Sequence, residues 1–197
     1  AIVGLESAHA DQLVRLTNTE SRFADARIVA LIDDDADRAA ALAAVGDVDH
    51  VGSSLDPIIG SVDGAIIGHR AGSRHRAPAE HLLAAGIPVF VDKPLAASVA
   101  DAEAILATAT RHSTPVTSWS AMRFVPGIAT VSDAIPDATA VSTIAVSGPA
   151  DPRSPYDGLF FYGVHVVEAA LALCAALGVA PDDAVEPTVS ANDEGTT

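Results

Sequence analysis

Short apolar, β-branched runs alternate with alanine-rich helical stretches over the first two-thirds of this 197-residue chain, which predicts an α/β fold. The alternating order implies a doubly wound parallel sheet with helices on both faces. A change of style near Trp119 predicts that part of a second α/β domain follows, dividing the chain into domains 1–119 and 120–197. The interior must be built from small aliphatic side chains, because 49% of residues are apolar and only 4% aromatic.

Strands are expected at residues 1–4, 27–32, 64–67, 88–91 and 115–118, with a weaker one near 48–51. Helices are expected between them at about 9–16, 35–45, 56–62, 75–85 and 99–111. Gly86 follows the fourth helix as a C-cap residue. Ser98 precedes Val99 as an N-cap, with Asp101 and Glu103 in the first turn. Beyond residue 120 the pattern predicts a helix over 121–134 interrupted at Pro126, then a β-branched strand over 138–147. A loop rich in Pro, Gly and Asp covers 148–157, a long apolar helix covers 159–177, and the tail from Gly178 is polar and acidic.

A net charge of −15 argues against nucleic-acid and anionic-membrane partners, since both need a basic surface. The single cysteine, Cys174, excludes an internal disulfide framework and fits a reducing, cytoplasmic setting. It lies in the run ALALCAAL, where a packed thiol is the simpler reading. The start, AIVGLESAHA, has no basic segment of the secretory kind. No uninterrupted apolar stretch approaches the length of a membrane span. An opening without Met and a stop at DEGTT read as a fragment or a trimmed chain.

Four stretches carry chemistry. In IVGLESAHADQL, aligning Gly4 with the first glycine of a G-x-G-x-x-G turn puts Glu6 and His9 where the other two glycines belong, so the phosphate-binding pattern is poor. In VALIDDD, Asp33 stands at the end of a strand, either as an acid for ribose hydroxyls or as a cap for the next helix. In GHRAGSRHRAPAEH, His69, Arg70 and His75 fall at the carboxyl edge of the sheet and could face a ligand, while His81 reads as structural or solvated.

The next strand runs directly into Asp92-Lys93-Pro94. Lys93 is the only lysine beside ten arginines. It is either an accident of arginine-biased usage or a cation kept because an ammonium can lose its proton. Pro94 predicts an extended lysine aimed across the strand edge. In GLFFYGVHVVEAAL, His165 and Glu168 share one face of an apolar helix, preceded by Asp157 and Tyr162. A metal pair would need more ligands than the sequence offers, and a lone His on such a helix is commonly a core residue.

Taken together, AAGIPVFVDKPLA and YGVHVVE resemble the Gfo/Idh/MocA family of nicotinamide-dependent oxidoreductases of sugars, inositols and related polyols. The resemblance runs from Ala1 to about Gly178, and the GLES-H and FFYGVH runs are similar to one branch of the family. It implies a Rossmann-like domain followed by an α/β domain with a mostly antiparallel sheet, much of which this chain would lack. It also implies NAD rather than NADP, a small sugar or polyol substrate, and a homo-oligomer.

Carried onto this sequence, the resemblance makes Lys93 the lysine touching nicotinamide ribose and substrate, and His165 the acid/base histidine. Asp33 becomes the ribose-binding acid. From their place at the sheet edge, Gly4, Glu6, Ser7, His69, Arg70, His75 and Asp92 are also expected along the cofactor. Glu168 matches the acid three residues after the histidine. Phe161 stands where the family has an aspartate, and Tyr162 is expected to compensate as a third catalytic residue. No metal site is expected. Two other readings stay open: a non-catalytic ligand-binding or regulatory protein on the same fold, and a lyase or hydrolase of oxidised glycosides with a metal near His9, His69 or His75.

Overall fold

The computed structural model describes residues 1–135, 141–179, 191–192 and 195–196. The chain divides into two compact units, Ala1–Ser118 and Trp119–Thr197.

In the first unit six short strands form one sheet: β1 (Ile2–Val3), β2 (Ala30–Ile32), β3 (His50–Gly52), β4 (Ala65–Ile67), β5 (Val89–Val91) and β6 (Val116–Ser118). Every pairing is parallel and the spatial order is β3-β2-β1-β4-β5-β6. This is the order of a doubly wound Rossmann fold, which reverses direction between β1 and β4. The helices are α1 (Ala8–Val14, running on as a π-helical turn to Thr19), α2 (Ala36–Gly46), α3 (Arg76–Ala84) and α4 (Val99–His112).

Side chains alternate across the sheet, so each strand feeds two cores. Val3, Ala30, Ile32, Ala65, Ile67, Val89 and Val91 pack with Leu82, Leu83 and Ile105 of α3 and α4. Ile2 and Leu31 pack the opposite way, with Ala10, Val14, Ala39 and Leu42 of α1 and α2. Caps fall where side-chain chemistry demands: Ser7, Asp35 and Ser98 accept from the amides of His9, Arg38 and Asp101.

Two expected elements differ. Residues 56–62 do not form a full helix, only a 3₁₀ turn over Asp56–Ile58. Pro57 sits at its start and Gly60 has a φ of +76°, which turns the chain out of the helix. Residues 141–147 of the expected strand are irregular, and positions 138–140 lie outside the described residues. A β-branched run becomes a strand only where a neighbour pairs its backbone, and among the described residues none does.

The second unit holds a 3₁₀ turn (Ala121–Phe124), α5 (Pro126–Ala129), α6 (Val131–Ala134) and α7 (Phe160–Ala176). The break expected at Pro126 is present. A small antiparallel pair, β7 (Ala191–Asn192) and β8 (Gly195–Thr196), follows. Ile128, Ala169 and Ala172 form its small core. Among the described residues no helix is long and apolar enough to cross a membrane.

Candidate functional site

The carboxyl edge of the sheet is built from the β1–α1 turn outward. Gly4 has a φ of +84°, and its amide donates to Ile32 O at 2.9 Å. A Cβ added here would lie 2.4 Å from His69 Nδ1, so the turn rests directly on the imidazole and only glycine fits. The Leu5 amide donates to Asp33 Oδ2 at 2.6 Å, and the Asp35 amide donates to Asp33 Oδ1 at 2.9 Å. Asp35, not Asp33, caps α2. Asp33 therefore fastens β2 to the glycine turn, and its oxygens keep lone pairs for further donors. The Ser7 hydroxyl is committed to capping α1.

Glu6, the bulky anion in the turn, is not left isolated. Arg74 Nη1 donates to Glu6 Oε1 at 2.7 Å, and His69 Nδ1 lies 3.2 Å from both carboxylate oxygens. Arg74 also reaches toward Asp34 at 3.7 Å. Burial pushes the Glu6 carboxyl up. The His69 hydrogen bond, its own backbone and the charges of His69 and Arg74 outweigh that and bring it down to about 2. Glu6 is thus ionised and paired at neutral pH.

On the far side of β4, Asp92 Oδ2 pairs with His9 Nδ1 at 2.8 Å, and Asp92 Oδ1 accepts from the Lys93 amide at 2.9 Å. The His9 side chain is half exposed. Lys93 itself is 9% exposed. Burial lowers its ammonium below the ordinary lysine value, Asp92 opposes that and Arg70 adds to it. The chain bends at Lys93, and the Lys93–Pro94 peptide is cis.

His75 corrects an expectation. It is fully buried, with Nδ1 2.8 Å from Pro94 O and Nε2 2.8 Å from His69 O, so its ring faces backbone carbonyls and not a ligand. His69 is likewise buried beneath the turn, with its ring stacked 6.4 Å from that of His75.

In the second unit His165 Nδ1 lies 2.6 Å from Ser120 Oγ, and Ser120 Oγ also accepts from the Met122 amide at 3.1 Å. The Tyr162 ring stands 5.8 Å from that of His165. Phe161 packs against Tyr162 at 4.6 Å and Tyr156 at 4.8 Å, a hydrophobic role for the residue in the aspartate's place. Glu168 accepts from Arg123 Nη1 at 2.9 Å.

The structure thus gathers Gly4, Glu6, Ser7, Asp33, His69, Arg70, Asp92 and Lys93 along one sheet edge of the first unit. Tyr162 and His165 belong to the second. Sequence reasoning misses Arg74, Ser120 and Arg123. A serine preceding the Ala121–Phe124 turn is a readable N-cap signal, but its bond to a histidine 45 residues away leaves no local trace.

The family model described as "Oxidoreductase family, NAD-binding Rossmann fold", Gfo/Idh/MocA, matches residues 1–118. Among curated proteins no sequence matches the chain. Solved structures do. A Gfo/Idh/MocA family oxidoreductase from Vibrio cholerae is 25% identical with a TM-score of 0.56, covering 70% of this chain and 43% of its own. A dehydrogenase from Chromobacterium violaceum is 19% identical with a TM-score of 0.67, covering 98% and 58%. The WlbA dehydrogenase from Bordetella pertussis, in complex with NADH and UDP-GlcNAcA, is 18% identical with a TM-score of 0.59, covering 68% and 41%. The chain therefore spans less than two thirds of the length of each. With six parallel strands in Rossmann order and a family match over the whole first unit, the chain belongs to the Gfo/Idh/MocA oxidoreductases.

Proposed function

We propose that the protein is an NAD-dependent oxidoreductase that moves a hydride between the nicotinamide and a secondary alcohol of a sugar, inositol or related polyol. The observation that carries this reading is the edge of the first unit. A glycine turn flattened onto His69, an acid at the end of β2 and a buried lysine at the end of β5 flank the sheet's reversal point. Dinucleotides bind at such a crevice. The residues are compatible with a dinucleotide: only glycine fits where the turn lies against His69, and the Glu6 charge is answered by Arg74 and His69.

When bound, NAD supplies the hydride acceptor or donor. Asp33 would hold the adenosine ribose hydroxyls and disfavour a 2′-phosphate, which favours NAD over NADP. Lys93 would orient the nicotinamide ribose and the reacting oxygen, its lowered pKa making it a better proton-sharing donor. His165, its ring oriented by Ser120, would accept the alcohol proton while Tyr162 flanks it. The UDP-sugar in the WlbA complex supports a carbohydrate substrate class. We also infer a homo-oligomer working in a reducing cytoplasm, supported by the exposed Phe160, Val167 and Leu171 along α7 and by the single cysteine.

The test is a screen of polyols and sugars with NAD, following the reduced nicotinamide. Turnover of at least one alcohol is expected, and Lys93→Met should abolish it with NADH binding kept. NADH binding with no turnover across the screen would favour the regulatory reading, which Glu6 in the turn and Phe161 in the aspartate's place also suggest.

A further inference from the structure

His75 is fully buried and belongs to no edge that a ligand can reach, yet it joins two parts of the candidate site. Its Nδ1 faces Pro94 O and its Nε2 faces His69 O, both at 2.8 Å. His69 is the residue on which the Gly4 turn rests, and Pro94 is peptide-bonded to Lys93. The same two segments also meet at Gly72, where an added Cβ would lie 2.8 Å from Pro94 Cγ and 3.1 Å from the Ala97 amide nitrogen. Packing and hydrogen bonding therefore clamp the stretch after β4 onto the stretch after β5. A continuous chain of contacts runs from Gly4 through the rings of His69 and His75 to the carbonyl beside Lys93.

We propose that His75 is a positioning residue for Lys93, its Nδ1–H donating to Pro94 O so that the lysine is held at the end of β5 in register with the glycine turn. This rests on the reading of Lys93 as the residue that touches cofactor and substrate. A neutral imidazole has one N–H and can satisfy only one of two carbonyls, whereas the charged ring satisfies both. Burial disfavours the charged ring and lowers its pKa, while the backbone around His69, Pro94 and Leu95 opposes that. In either state the proposal requires the proton at Nδ1. Losing it would leave a buried carbonyl without its donor and free the Lys93–Pro94 corner to shift.

Because Lys93 is the only lysine, its side chain gives a single, unambiguous set of resonances in protein labelled with ¹³C,¹⁵N-lysine, and the tautomer of His75 is readable from ¹⁵N-coupled imidazole spectra. In the wild-type chain Nδ1 of His75 should carry a proton, and a bare Nδ1 overturns the proposal without any variant. His75→Asn places an amide donor where Nδ1 stood, while His75→Gln places one where Nε2 stood. The Lys93 titration should stay below that of free lysine in wild type and His75→Asn. In His75→Gln it should move up toward free lysine.

Thr114→Ala removes another buried side-chain bond to a carbonyl, that of Leu83, and controls for general loosening. It should leave the lysine signal unchanged. Identical Lys93 titrations in folded wild type, Asn and Gln proteins would overturn the proposal. With turnover measurable, His75→Gln should lower kcat by roughly a hundredfold, with NADH affinity held within about threefold. The NMR arms need no cofactor, so a failure of the oxidoreductase reading would show as absent NADH binding and leave this question separately decided.

Discussion

At Gly4 the backbone turns with a φ of +84° against the face of His69, so the residue has neither conformational nor spatial room for a side chain. Gly4→Ala is expected to cost about 3 kcal/mol, read as a lower urea midpoint, from left-handed strain plus overpacking. Glu6 makes a different prediction. Its carboxyl is held at about 2 against an ordinary 4.5, so its contribution to stability is complete above pH 4.5 and is lost as pH falls through 2. The stability gap between wild type and Glu6→Gln should therefore be widest near neutrality and close across that window, as urea titrations at stepped pH would show. A constant gap would mean that Glu6 stabilises by shape and not by charge. Neither residue's role is visible locally. The arginine that pairs with Glu6 lies 68 positions away, and a glutamate in a glycine's place reads only as a defect until Arg74 and His69 are seen beside it.

Among the elements, α7 and the turn before α5 form one hydrogen-bonded piece. Ser120 is fully buried and serves two partners, the Met122 amide and the His165 ring. Ser120→Ala should cost about 1–2 kcal/mol through the lost cap and ring bond. If His165 handles the proton, the same change should lower kcat and leave NADH affinity unaltered, and equal losses in both would contradict that role. The elements that sequence patterns reveal are those whose signals are local. The parallel strands carry apolar runs, and α2 and α4 carry their own caps. Residues 56–62 and 141–147 mislead for opposite reasons. In the first, Pro57 and Gly60 override helix periodicity; in the second, strand propensity has no paired neighbour among the described residues.

For the molecule as a whole, strand order matters more than any single motif. Six parallel strands in the order β3-β2-β1-β4-β5-β6 place the ends of β1, β2, β4 and β5 together, and with them Gly4, Asp33, His69 and Lys93. These residues were separable in sequence as candidates because each follows an apolar run at a strand's end. The couplings among them were not, since His75 meets Pro94 across 19 positions and Leu5 meets Asp33 across 28. The central claim is that this edge binds a nicotinamide dinucleotide although a glutamate stands in its glycine turn. A fluorescence titration of the 197-residue chain with NADH tests it most directly. Saturable binding is predicted, weakened by roughly tenfold or more in Asp33→Ala that remains folded by circular dichroism. A wild-type chain that shows no saturable NADH binding would contradict it.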